Sequence, residues 1–232
     1  MIAAAIFDLD GTLTTTPNPW RHIHESLGVW DKACKHFDEW LGGTVDYDEF
    51  CRKDTSLWKG SPLDAIHGFL DRIELNRHVP SVTRALTQRG IPSIIISSGF
   101  HHVARRIQSE HGWEPLVVYA NELIEGPDVR IHVSADASSP ISKRALGTVA
   151  LKRLGVDAKE TLVVSDAERD LEALKDRIGR GGKFRWRLWR DFATGVDFLL
   201  PLLFELTDQF AGCHNIGVLI GEPAEQLVEL LA

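Results

Sequence analysis

The stretch Ile2-Ala3-Ala4-Ala5-Ile6-Phe7-Asp8-Leu9-Asp10-Gly11-Thr12-Leu13 constrains this chain more than any other. Residues 2–7 are apolar without alternation, the pattern of a strand covered on both faces at the centre of a parallel sheet. The run stops at aspartates spaced i, i+2, and the period of a strand points both the same way. Gly11 permits a sharp turn, and the Thr12 hydroxyl can tie the loop down. Like charges at the end of a buried strand are costly, so the pattern asks for a divalent metal or for one carboxyl that stays protonated. A surface turn that happens to carry the acids is the rival reading, and the rest of the chain decides between them.

A length of 232 residues allows a core domain with a smaller partner. The net charge of −7, from 26 basic and 33 acidic side chains, argues against a general nucleic-acid or anionic-membrane binder. Cys34, Cys51 and Cys213 are odd in number and lack a Cys-x-x-Cys spacing, which fits a reducing compartment without a disulfide framework or zinc site. With no charged leader ahead of the first strand, the expected location is cytoplasmic.

Residues 14–19, with Pro17 and Pro19, suit a linker that leaves one domain for another. Trp20, Ile23, His24 and Leu27 then recur at helical spacing up to Gly28, and a second helix is predicted over 31–40. Tyr47, Phe50, Cys51, Leu57 and Trp58 mark a third, stopped at Gly60. Ser61 reads as an N-cap with Pro62 at the first position of a fourth, whose apolar face is Leu63, Ile66, His67, Leu70 and Ile73. From residue 79 the period changes. A helix ends at Gly90, a buried strand over 91–96 stops at Ser97-Ser98-Gly99, and a helix follows over 100–111. A strand over 116–119, a turn-rich flap over 121–139 with an alternating piece at 129–133, a helix over 143–154 and a strand over 161–164 complete the pattern. Strands alternating with helices predict an α/β fold, a Rossmann-like doubly wound parallel sheet with its site at the carboxyl ends of the strands. The expected division is a core of residues 1–15 and 77–232 with an inserted α-helical cap domain at 16–76.

The last quarter carries an alternation of basic and large apolar residues at 183–190, readable as an edge strand, an anion clamp or a lipid-surface anchor. Residues 192–210 are strongly apolar but interrupted by Pro201, too short and too interrupted to span a bilayer, and read as a buried helix or a dimer surface. A strand over 216–220 and a helix over 223–231 close the chain.

Further features stand in order behind the first loop. Ser97 offers a hydroxyl and Ser98-Gly99 backbone amides at a strand-to-helix turn, where an anion is favoured. Lys143 supplies positive charge near a helix start, and Asp166 and Asp170 return a carboxylate pair to the same edge of the sheet. Each alone is an ordinary turn, solvated lysine or helix cap. Together they resemble the motifs of the haloacid-dehalogenase-like superfamily, over about residues 2–15 and 79–175. By that resemblance Asp8 is the nucleophile that forms an aspartyl-phosphate and Asp10 the general acid and base. Thr12, Ser97, Ser98, Gly99 and Lys143 bind phosphoryl oxygens, the lysine also balancing Asp8. Asp8, the main-chain carbonyl of Asp10 and Asp166 hold Mg²⁺, and Asp170 supports through water or by orienting Lys143. Dehalogenases of the superfamily need no proton donor two residues on, so Asp10 favours phosphoryl transfer. Ser165 stands where glycine usually precedes the motif's aspartate.

The helical insertion, the run Phe50-Cys51-Arg52-Lys53-Asp54-Thr55-Ser56-Leu57-Trp58-Lys59-Gly60 and Ser97-Ser98-Gly99-Phe100 look like the phosphoserine phosphatase branch. Asp54 occupies the position where that branch places an arginine for the substrate carboxylate, and the glutamate expected for the substrate amine is missing from 15–19. Asp54, at i+7 from Tyr47, should face the bundle interior or the site. Together with Arg52 it is a candidate specificity residue, for a substrate with a cationic or hydroxyl-rich tail in place of phosphoserine. An internal salt bridge to Arg52, Lys53 or Arg72 is the alternative. The reading is thus a Mg²⁺-dependent phosphatase for a small phosphate ester, with two rivals: a phosphotransferase using the same intermediate, and a binding protein that has kept the fold.

Overall fold

The computed structural model describes residues 2–126, 128–132 and 140–166. Asp170, the stretch 183–190, the apolar segment 192–210, Cys213 and the elements expected over 216–220 and 223–231 lie outside the described residues.

Strand β1 (Ala4–Phe7) is buried along its whole length. It pairs in parallel with β2 (Ser93–Phe100) on one side and with β5 (Thr161–Val164) on the other, in the register Phe7↔Ile95 and Phe7↔Val164. Strand β3 (Val117–Ile124) continues the parallel set beyond β2, and β4 (Arg130–His132) is antiparallel to β3. Among the described residues the sheet order is β4-β3-β2-β1-β5, with the reversal of winding beside β1. Ligands of doubly wound sheets bind at such a reversal.

Alternation along the strands sorts their side chains between two layers. Ala4, Ile6, Ile94 and Ile96 pack with Leu146, Ala150, Leu151 and Leu154 of α7 (Pro140–Leu154). Ala5, Phe7 and Ile95 face the other layer, with Val79, Val82 and Leu86 of α5 (Val79–Gln88) and Val103, Ala104 and Ile107 of α6 (His101–His111). Apolar on both faces, β1 and β2 have no stable place except this centre.

The segment between β1 and α5 forms α1 (Pro19–Ser26), α2 (Trp30–Leu41), α3 (Tyr47–Ser56) and α4 (Leu63–Leu70). Asn18 caps α1 by accepting from the Arg21 amide at 2.9 Å, with Pro19 at the first helical position, and Asp46 caps α3 through the Glu49 amide at 2.8 Å. Helix α4 corrects the expected cap: Pro62, extended at ψ 152°, takes the N-cap position, while the Ser61 amide closes the preceding turn on the Trp58 carbonyl. The chain leaves for these helices and returns through a paired neck. The Thr15 amide donates to the Glu74 carbonyl and the Asn76 amide to the Leu13 carbonyl, both at 2.9 Å. Trp20, Phe50 and Trp58 of the insertion join the same apolar cluster as Phe7, Leu9 and Phe100. Among the described residues no helix is long and apolar enough to cross a membrane.

Candidate active site

The loop after β1 is shaped by one carbonyl and one glycine. The Leu9 carbonyl accepts from the amides of Thr12, Leu13 and Thr14, a turn that Gly11 completes at φ +77°. The Asp8 amide donates to the Val164 carbonyl at 2.9 Å, so Asp8 still belongs to the ladder and emerges at the carboxyl edge of the sheet. Lys143 Nζ, reaching from the first turn of α7, lies 3.1 Å from Asp8 Oδ1. Both side chains are mostly buried, so little water screens the pair.

Asp10 has a different environment. It is 7% exposed, its Oδ2 accepts from the Ser97 hydroxyl at 2.5 Å, and its Oδ1 is buried with no hydrogen-bond partner among the described residues. Burial, and next the charge of Asp8, push its pKa up to about 7; the Ser97 hydrogen bond and Lys143 oppose the rise. A carboxyl there carries a proton for much of the time at neutral pH and can give it away.

Ser97, Ser98 and Gly99 lie within β2 where its ladder with β3 breaks register. The partners are Ile96↔Tyr119 and then Phe100↔Asn121, so β2 spends four residues where β3 uses two. The Ser97 hydroxyl is committed to Asp10, and the Gly99 amide donates back to Ser97 Oγ at 2.8 Å. A Cβ on Gly99 would stand 2.1 Å from Asp10 Oδ2, so only glycine lets β2 pass that carboxylate. On the other side the Thr12 hydroxyl accepts from the Asp166 amide at 2.9 Å and donates to Asp166 Oδ1 at 3.4 Å. A Cβ on Gly11 would lie 2.4 Å from Asp166 Oδ2. Thr12 thus ties the β1 and β5 loops together.

The structure therefore brings Asp8, Asp10, Thr12, Ser97, Gly99, Lys143 and Asp166 to one rim of the sheet. It does not bring Asp54 or Arg52 there by any contact. Asp54, 2% exposed, faces the interior of the helical insertion, where His36 Nδ1 lies 2.8 Å from Oδ1 and His24 Nε2 3.7 Å from Oδ2. The partners are histidines, not the expected Arg52, Lys53 or Arg72. Arg52 is exposed and paired with Glu49, and Lys53 is paired with Glu39. Burial raises the Asp54 pKa to about 6 and lowers that of His24 to about 4.

Sequence reasoning missed two side chains that converge on the Ser98 carbonyl and a third linked to one of them. Trp20 Nε1 donates to it at 3.1 Å, and Asn121 Nδ2 donates both to it, at 2.8 Å, and to the Tyr47 hydroxyl at 3.0 Å. For Asn121 the available signal was the one used for Ser97 and Asp166, a polar residue at the end of a buried run; Trp20 and Tyr47 open helices and carry no such mark.

Among the described residues no group of three or more His, Cys, Asp and Glu side chains is placed to hold a metal. The oxygen donors at the rim still suit Mg²⁺, which is held by one or two carboxylates and keeps several waters. Asp8, Asp166 and the Asp10 carbonyl are a donor set of that kind.

A family model described as a haloacid dehalogenase-like hydrolase matches residues 2–176. A phosphoserine phosphatase of Methanocaldococcus jannaschii is 23% identical over 174 residues, covering 73% of this chain and 80% of that protein. A probable phosphoserine phosphatase of Schizosaccharomyces pombe is 21% identical over 169 residues, 72% of this chain but 56% of that protein, so the chain spans little more than half of that relative's length. Among solved structures, a phosphoserine phosphatase with an analogue of its phospho-aspartyl intermediate has the same fold, with a TM-score of 0.61 at 20% identity over 99% of this chain and 98% of that one. A hydrolase from Salmonella enterica serovar Typhi aligns with a TM-score of 0.64 at 18% identity over 81% of this chain and 63% of its own. The chain belongs to the haloacid dehalogenase-like hydrolases.

Proposed function

We propose that the protein hydrolyses a small phosphate monoester through an aspartyl-phosphate on Asp8, with residues 16–76 acting as the cap over the site. The observation that carries this reading is the contrast between the aspartates: Asp8 has the Lys143 ammonium against it, and Asp10, two residues on, is buried with its pKa raised to about 7. One is suited to attack and the other to donate a proton.

Asp8 Oδ attacks phosphorus in line with the ester oxygen, and the bond from phosphorus to that oxygen breaks. Asp10 gives its proton to the departing alkoxide, so the alcohol leaves neutral. Asp10, now ionised, takes a proton from water as the water attacks phosphorus, and the bond to Asp8 breaks to release orthophosphate. Lys143 keeps positive charge beside the reacting carboxylate throughout. Asp8, Asp166 and the Asp10 carbonyl would hold Mg²⁺, which when bound supplies further positive charge to the phosphoryl oxygens.

Position 54 carries no cation, and its neighbours Arg52 and Lys53 are committed to Glu49 and Glu39. This supports a substrate other than phosphoserine, whose carboxylate finds no partner from that part of α3. A panel of metabolite phosphate esters, assayed with Mg²⁺ and with Asp8→Asn as the control, tests the proposal. Release of phosphate by the wild type and none by the variant is expected; no release from any ester, or equal release by Asp8→Asn, sinks it.

A further inference from the structure

The shift of register in β2 leaves a backbone problem. Because the ladder skips from Ile96 to Phe100, the Ser98 carbonyl loses the place among strand partners that a regular β2 would give it. A carbonyl beside a buried site without a donor is costly. The chain solves this with side chains from two parts of the fold. Asn121, 1% exposed on β3, donates from the core; Trp20, 8% exposed on α1, donates from the helical insertion. The same Asn121 amide also reaches the hydroxyl of Tyr47, at the start of α3. One planar group therefore touches the turn that carries Ser97 and Gly99 and the insertion above it.

We infer that Asn121 is a positioning residue that couples seating of the insertion, through Tyr47, to the shape of the Ser97–Gly99 turn and so to the hydroxyl that orients Asp10. The inference rests on the proposed phosphatase reading for its kinetic consequence only. The path is short and continuous. Tyr47 Oη accepts from Asn121, Asn121 donates to the Ser98 carbonyl, and the peptides on either side of Ser98 belong to Ser97, whose hydroxyl holds Asp10 Oδ2, and to Gly99, whose amide holds Ser97 Oγ. Trp20 reinforces the link from a different helix of the insertion, with its ring packed 4.9 Å from that of Phe100. If the insertion lifted, Trp20 and Tyr47 would both leave, and the turn would keep one of its donors. The turn is then shaped for reaction only when the insertion is down over the site.

The test uses Asn121→Ala, Tyr47→Phe and their combination in the full-length protein. The first readout needs no turnover: hydrogen exchange of the Trp20 indole N–H, followed by NMR. Asn121→Ala and Tyr47→Phe are each expected to speed that exchange by about tenfold or more, since loss of one buried hydrogen bond shifts an opening equilibrium by that order. The second readout is hydrolysis of an alkyl phosphate with Mg²⁺. Asn121→Ala should lower kcat about tenfold while changing KM less, and Tyr47→Phe should add little on the Asn121→Ala background, because the two act through one link. Trp20 exchange unchanged by either variant overturns the inference, as do additive kinetic effects of the two substitutions. Should Asn121→Ala fail to fold, Tyr47→Phe gives the same decision alone, since it removes the hydroxyl that Asn121 reaches, keeps its ring and leaves the Trp20 indole N–H in place to report. A wild type that hydrolyses no ester defeats the phosphatase reading and leaves the exchange measurement to judge the coupling.

Discussion

Replacing Gly99 with alanine tests how closely the β2 turn and Asp10 are fitted. The added Cβ would lie 2.1 Å from Asp10 Oδ2, 2.8 Å from Cγ and 2.9 Å from Oδ1, whereas ordinary contact begins near 3.4 Å. The carboxylate or the turn must therefore yield by about 1.3 Å. Gly99 does not have a left-handed backbone, so the substitution adds no strain of its own, unlike Gly11 at φ +77°. Asp10 cannot swing aside freely, because it is buried and its Oδ2 is held by Ser97 at 2.5 Å. Breaking that bond costs about 1.5–3 kcal/mol where a charged group is involved, and a misplacement of about 1 Å in a reacting group costs about a hundredfold in rate. A hundredfold is about 2.7 kcal/mol, the same order as the stability cost, and a loss of that size is small beside the roughly 5–15 kcal/mol of a typical domain, so the variant should stay folded and lose turnover.

Leaving groups separate loss of the acid from general damage. An alkyl phosphate needs a proton on its departing oxygen, while a nitrophenyl phosphate leaves as a stable anion. Gly99→Ala should lower kcat for the alkyl ester about a hundredfold and for the aryl ester about tenfold or less. An alkyl-ester kcat within about threefold of wild type in a folded variant would refute the reasoning, and so would equal losses on both esters.

Other expectations concern the insertion and the metal. The folded state holds the Asp54 proton more tightly than the unfolded chain, a contribution full below pH 3.8 and lost as pH rises through about 6. It holds a His24 proton less tightly, a contribution full above pH 6.5 and lost as pH falls through about 4. Between those values the slopes oppose, so Asp54→Asn should leave the His24 slope exposed, with Tm falling more steeply than in wild type from pH 6.5 to 4.5; a slope unchanged or shallower contradicts this. Arg106 donates to the carbonyls of Leu70, Asp71 and Ile73 and so docks the carboxyl end of α4 on α6. Arg106→Met should destabilise the protein by about 2–3 kcal/mol in urea unfolding, and a loss below about 0.5 kcal/mol would show the carbonyls content with water. Chelation with EDTA should abolish ester hydrolysis and Mg²⁺ restore it, an outcome that persistence of activity after exhaustive chelation would reverse.

Where burial was the whole signal, the sequence was enough. The strand at 161–164 and the stop at Gly155 sit where the pattern put them, because a buried parallel strand is an apolar run and a helix end is a glycine at positive φ, here +69°. The ends of β2 and β3 differ from expectation for a reason no local pattern carries. β2 resumes pairing at Phe100 after its irregular turn, and β3 runs on through Asn121 and Glu122 because β4 pairs beside it. Asp54 shows the same limit: helical spacing turned it inward, but its partners, His24 and His36, come from other helices. Spacing along one element gives direction, and tertiary packing chooses the neighbour.

The same distinction explains how one rim tolerates its acids. Asp8, Asp10 and Asp166 are alike in sequence and differ in what the fold puts beside them. Asp8 faces an ammonium from α7, Asp10 a hydroxyl from β2 in a buried place, and Asp166 the threonine of the first loop, which also takes its main-chain amide. Two missing Cβ atoms, at Gly11 and Gly99, admit Asp166 and Asp10 to their places. An ammonium favours the charged form of a carboxyl, whereas burial beside another anion favours the neutral form. On the proposed reading, a chain that ends a buried strand in Asp-x-Asp would divide attack from proton donation only after strands far away in sequence have arrived with different partners for each.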